Sequence, residues 1–177
     1  MHKNKSNGNV CAAANHECNI YTKKRPGCMC WVSIVSAAHS LFETPEPPSV
    51  TILCRRPSLR DAYHDNRDNI SLEARSGEII EHRGYEWETL GDGIWYSTAE
   101  SGGNSDSVER SSITDLIVAV KATQTTSALQ QLKHRLTPQS NILFVQNGCG
   151  MIDEVNDHLF PHPTERPNYM VGVNRKV

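Results

Sequence analysis

The sequence predicts an α/β fold with a mostly parallel sheet, and three observations carry that expectation. Two short apolar runs, Leu116 to Val120 and Ile142 to Val145, each end on polar groups. Between them Ala128, Leu129, Leu132 and Leu136 recur at helical spacing, and Pro138 stops the pattern. Strand, helix and strand over roughly 30 residues make a βαβ crossover, which joins parallel neighbours. Lys121 and Asn147 then stand at matching ends of two adjacent strands. In open α/β sheets the carboxyl ends of the strands border the ligand crevice.

The remaining elements follow in chain order. Residues 1–27 are polar and lack sustained periodicity, which predicts disorder; the folded domain is expected over 28–177. From Cys28 a short apolar run leads into a helical stretch, Ser36 to Leu41, ended by Pro45, Pro47 and Pro48. Val50 to Cys54 reads as a strand that Arg55-Arg56-Pro57 terminates, and a short helix follows over about Ser58 to His64. Ile70 to Tyr96 alternates loosely between glycines and predicts short antiparallel strands. Ser97 to Ser112 is a Ser/Gly/Asn/Asp-rich loop. Met151, Ile152, Val155 and Leu159 share one face of a helix, with Asp153 and Glu154 as favourable first-turn charges. Tyr169 to Val173 reads as a last strand.

Composition removes some function classes. Lys plus Arg is 18 against 20 for Asp plus Glu, so bulk charge points to neither nucleic acid nor a membrane surface. No apolar run approaches the roughly 18 residues of a membrane helix, and the first residues lack the apolar core of a secretory signal. Lys3, Lys5, Lys23, Lys24 and Arg25 only weakly suggest a mitochondrial leader, and a cytoplasmic location is expected. The spacing of Cys11, His16, Cys18, Cys28 and Cys30 fits no common zinc site, so free thiols are expected. Cys54 belongs to a strand pattern and reads as a small core residue.

Lys121-Ala122-Thr123-Gln124 after an apolar strand resembles the ketopantoate reductase (2-dehydropantoate 2-reductase) family, especially its fungal members. Gln146-Asn147-Gly148-Cys149-Gly150 resembles that family's Gln-Asn-Gly-x-Gly turn. Pro47-Pro48-x-Val50-Thr51-Ile52-Leu53-x-Arg55-Arg56-Pro57, Leu159-Phe160-Pro161 and Arg166-Pro167-Asn168-Tyr169 extend the likeness. It covers roughly four-fifths of the chain and corresponds to the family's Rossmann-like cofactor-binding half. The resemblance implies NADPH-linked reduction of a 2-keto acid, 2-dehydropantoate, in pantothenate and coenzyme A synthesis. It implies that Lys121 and Gln124 line NADP(H), and that Asn147, beside Gly148, touches both cofactor and substrate. Chemistry makes these roles sensible: a lysine donates to a hydroxyl, phosphate or ketone, and an asparagine amide both donates and accepts. Arg55 and Arg56, where the second strand of such a fold ends, suit a 2′-phosphate better than an acidic residue would. The partners implied are a small 2-keto acid and no nucleic acid or membrane; a homo-oligomer is compatible with the resemblance.

Two departures stand against it. The family's Gly-x-Gly-x-x-Gly turn, aligned on Ser33-Ile34 and Ala38 to Leu41, falls on Cys30, Val32 and Val35. Valine disfavours the backbone that such a turn needs. Family members also continue into a helical domain with a second lysine, the general acid, and a substrate-binding glutamate; Lys176 is not that lysine. The chain is therefore expected to be incomplete, and its start to derive from a wrong start site or a retained intron. Alternatives stay open at this point. One is a non-catalytic remnant or binding module; a more distant one is a cysteine-based metal-binding module. Lys121 could be a solvated strand-end lysine, Asn147-Gly148 only a turn, and Arg55-Arg56 a solvated pair. His39 reads as a packed residue.

Overall fold

A computed structural model describes residues 9–14, 29–55, 57–65, 69–73, 76–97, 112–146 and 148–172. The elements in chain order are β1 (Asn9–Ala14), α1 (Met29–Phe42), β2 (Ser49–Cys54), α2 (Pro57–Asp65), β3 (Asn69–Glu73), β4 (Ile79–Arg83), β5 (Glu86–Gly91) and β6 (Ile94–Ser97). They continue with β7 (Asp115–Val118), α3 (Thr125–Gln130), β8 (Asn141–Val145), α4 (Met151–His158) and β9 (Asn168–Gly172). The main sheet has seven strands in the order β6-β5-β2-β1-β7-β8-β9. All neighbours pair in parallel except β5 with β6. Without the antiparallel edge strand β6, the order along the chain is 3-2-1-4-5-6, that of a doubly wound dinucleotide-binding sheet.

Strand faces alternate as the pleat requires. Leu116 and Val118 of β7, Ile142 and Phe144 of β8 and Leu53 of β2 share one core with Leu129 and Leu132 and with Val155 and Leu159. On the opposite face, Ile117 and Ala119 meet Ala37 and Leu41 of α1 and Leu143 and Val145 of β8. Val50, Ile52 and Cys54 pack with Ala38, Tyr63, Tyr85 and Trp87. The sheet is thus covered on both faces, which explains why its central strands are almost continuously apolar. Cys54 is buried there, as its strand pattern predicts.

The β5–β6 hairpin turns on Asp92 and Gly93, both at positive φ (50° and 82°), as a two-residue turn matched to strand twist requires. β3 and β4 form a separate antiparallel hairpin. His82 of that hairpin meets His39 of α1 edge to face, with centroids 4.6 Å apart, and stacks on Phe42.

Three expectations are corrected. Asn9–Ala14, inside the stretch expected to be disordered, is the central strand, paired to β2 on one side and β7 on the other. Cys30, Val32 and Val35, aligned above to the glycine turn, lie inside α1, a single helix from Met29 rather than an apolar run followed by a helix. The connection from β1 to α1 therefore falls in residues 15–28, outside the described residues. The helix after β7 is also shorter than its apolar period suggests. It ends at Gln130 and passes into a 3-10 turn at Lys133–Arg135, while Leu132 and Leu136 remain buried. The Ser97 to Ser112 loop expectation falls mostly on 98–111, again outside the described residues.

Candidate functional site at the carboxyl ends of β7 and β8

Beyond β7 the chain stays buried through Ala119 and Val120, then surfaces at Lys121. Lys121 is exposed and extended (φ −63°, ψ 142°), and its carbonyl accepts from the Gln124 amide at 2.8 Å to close a 3-10 turn. α3 begins at the next residue. The flexible cation is therefore delivered at the carboxyl edge of the sheet, beside the switch point where β1 separates the two halves of the strand order.

Gln124 is half-buried, and its Oε1 is sealed from solvent without a hydrogen-bond partner among the described residues. An unmet acceptor of this kind costs about 1–3 kcal/mol. A ligand hydroxyl or carboxamide N–H is a donor that would relieve it.

The β8 side closes against this turn. Gln146 is buried, and its Nε2 donates to Thr125 Oγ1 at 2.9 Å while the Thr125 hydroxyl donates to Gln146 Oε1 at 3.2 Å. Gly148 has φ +135°, and a Cβ there would fall 2.9 Å from the Cβ of Ala122. Only glycine lets the two loops approach so closely. Cys149 is exposed, and Gly150 (φ 79°) leads into α4. Glu154, in the first turn of α4, accepts from the Thr126 hydroxyl at 2.9 Å and so ties α4 to α3.

Lys121, Gln124 and Gly148 therefore stand on two adjoining loops at the carboxyl ends of β7 and β8. Arg55 is exposed just past β2, on the same carboxyl edge but with β1 between its strand and β7. Asn147 and Arg56 lie outside the described residues. His39 is packed: its Nε2 faces the Ile70 carbonyl at 3.2 Å, so it carries the proton, and its Nδ1 accepts from the Tyr85 hydroxyl at 2.7 Å. Burial, with Tyr63 adding to it, raises the Tyr85 hydroxyl well above the ordinary tyrosine range.

Sequence reasoning missed two buried polar pairs. One is Thr125–Gln146. The other joins Glu88 of β5 to Arg135, with both side chains nearly sealed from water. Gln146 stood directly after an apolar strand, which hinted at a buried amide; nothing near Thr125, Glu88 or Arg135 marked them.

A family model described as ketopantoate reductase PanE/ApbA matches residues 49–174. A protein of Schizosaccharomyces pombe named "Probable 2-dehydropantoate 2-reductase" is 44% identical over 62 residues. Those residues are 35% of this chain and 18% of that relative, so the aligned stretch spans less than a fifth of the relative's length.

Proposed function

The chain belongs to the ketopantoate reductase family, a family of oxidoreductases, and on that premise we propose that its sheet binds NADP(H) for the reduction of a 2-keto acid, 2-dehydropantoate. The observation that carries this reading is the pair of adjoining loops at the ends of β7 and β8. An exposed lysine, a sealed but unpaired glutamine oxygen and a glycine-dependent close approach converge there. These groups fit a dinucleotide: the orphaned Gln124 Oε1 needs a donor, which a ribose hydroxyl or a carboxamide supplies. The cofactor supplies hydride chemistry when bound.

The chain's own residues would bind and orient. Lys121 Nζ donates to a ribose hydroxyl or to the oxygen of the keto group, where it would stabilise negative charge developing on that oxygen. Gln124 Oε1 accepts from a ligand donor. Arg55, with Arg56 beside it in sequence, supplies a planar cation for a 2′-phosphate at the end of β2. Asn147 offers donor and acceptor to the substrate or the carboxamide.

A second reading is favoured by one sequence observation. Residues 15–28, which join β1 to α1, contain a single glycine, Gly27, whereas dinucleotide-binding turns use three. On that reading the domain keeps the fold as a binding or interaction module without reductase activity.

Titration with NADPH and NADH separates the two. Micromolar binding that prefers NADPH and weakens in Lys121→Ala supports the first reading. No binding at millimolar cofactor supports the second.

A further inference from the structure

We infer that Thr125 and Gln146 form a positioning pair that sets the spacing between the loops that follow β7 and β8. This deepens the cofactor-binding reading and rests on it. Thr125 has no exposed surface and Gln146 is 8% exposed. One hydroxyl both donates to Oε1 and accepts from Nε2 of the same amide, at 3.2 and 2.9 Å. A threonine hydroxyl has one hydrogen and two lone pairs, so both bonds form together.

Two glutamines here thus have opposite states. Both polar atoms of the Gln146 amide are engaged by Thr125, whereas Gln124 Oε1 has no partner among the described residues. The Gln146 amide is thus committed to Thr125, as a positioning residue requires. Thr125 directly follows Gln124 and opens α3, and Gln146 directly precedes Asn147. This link therefore joins the turn that carries Lys121 and Gln124 to the end of β8, which precedes Asn147 in sequence. There is little room between them, because a Cβ on Gly148 would fall 2.9 Å from the Cβ of Ala122. Cutting the link lets the loops part, and displacements of about 1 Å at such sites cost up to roughly a hundredfold in function.

The test compares NADPH affinity with stability in four chains: wild type, Thr125→Val, Thr125→Ser, and the double variant Thr125→Val/Gln146→Leu. Thr125→Val should bind NADPH about tenfold more weakly, and Thr125→Ser, which keeps the hydroxyl, should bind as wild type does. The double variant removes both members of the pair and orphans neither, so it should recover most of the stability yet stay weak for NADPH. A merely structural pair would instead recover affinity together with stability. Wild-type affinity in the double variant, or in Thr125→Val, would overturn the inference while leaving the cofactor reading intact. Absence of NADPH binding in the wild type would overturn both. Should Thr125→Val fail to fold, the double variant alone carries the comparison.

Discussion

The buried pair between Glu88 and Arg135 makes a quantitative demand on stability. Arg135 Nη1 donates to Glu88 Oε2 at 2.5 Å and Nη2 to Oε1 at 3.2 Å, with the side chains 3% and 8% exposed. The Arg135 carbonyl also accepts from the Ile113 amide at 2.8 Å, just before β7. The pair therefore fastens β5 to the segment between α3 and β8. Arg135→Leu would leave a carboxylate buried without its cation, which typically costs about 3–5 kcal/mol. Domains of this size hold about 5–15 kcal/mol in total, and each kcal/mol moves Tm by about 2–4 °C. The expected loss in Tm is therefore about 6–20 °C, read by circular dichroism with urea unfolding beside it. Glu88→Leu should behave similarly, while Glu88→Leu/Arg135→Leu should return to within about 1–2 kcal/mol of wild type, because uncompensated charge and not lost attraction dominates the single variants. If Arg135→Leu lies within about 1 kcal/mol of wild type, or the double variant is as unstable as the singles, the buried-charge reasoning is wrong.

Three further outcomes are expected. Gly148→Ala should lose about 1–3 kcal/mol from backbone strain alone, with more from the 2.9 Å contact to Ala122; urea unfolding within a few tenths of wild type would refute the geometry. Tyr85 titrates higher in the folded chain than its ordinary value of 10.0, so its contribution is fully present below about pH 10 and falls as pH rises beyond it. Tyr85→Phe, about 1 kcal/mol less stable at neutral pH through its lost bond to His39, should close on wild type in urea series carried above pH 10; a constant gap would count against the assignment. Gln124→Leu removes a buried acceptor without a partner, so it should match or exceed wild-type stability without ligand yet show a smaller NADPH-induced rise in Tm; an unchanged rise would remove Gln124 from the site.

The strands around the crevice were legible because burial on both faces writes itself as β-branched apolar runs, and β2, β7 and β8 fall where Val50, Leu116 and Ile142 begin such runs. The central strand was not legible. Asn9–Ala14 reads Asn-Val-Cys-Ala-Ala-Ala, with three alanines of low strand propensity. Its place is set by parallel pairing on both sides, which no local window contains. Topology offered the missing signal: a strand is needed before α1, and Val10 to Ala14 is the apolar run available there. Without it, the glycine turn aligns on Cys30, Val32 and Val35, which lie inside α1. Lys121, Gln124 and Gly148 lie at the strand ends where motif and spacing put them. The Thr125–Gln146 link needs three dimensions, since it joins residues on two different elements.

Stability and ligand chemistry are assigned to different groups in this fold, and that division helps to locate the site. The polar groups at Glu88 and Arg135 are sealed and paired with each other, as are Thr125 and Gln146. The oxygen of Gln124 gives up water and gains no partner among the described residues, an arrangement that lowers the stability of the free chain. Lys121 stands exposed on the turn that also carries Gln124, and an exposed lysine contributes little to folding. Residues that weaken a fold or leave it indifferent, held by residues that strengthen it, are what a preorganised binding site requires. The sheet order supplies the same conclusion independently, because a 3-2-1-4-5-6 sheet opens its crevice at the carboxyl ends of these strands. An energetic and a topological observation thus both support the proposed site at the loop after β7, which carries Lys121 and Gln124.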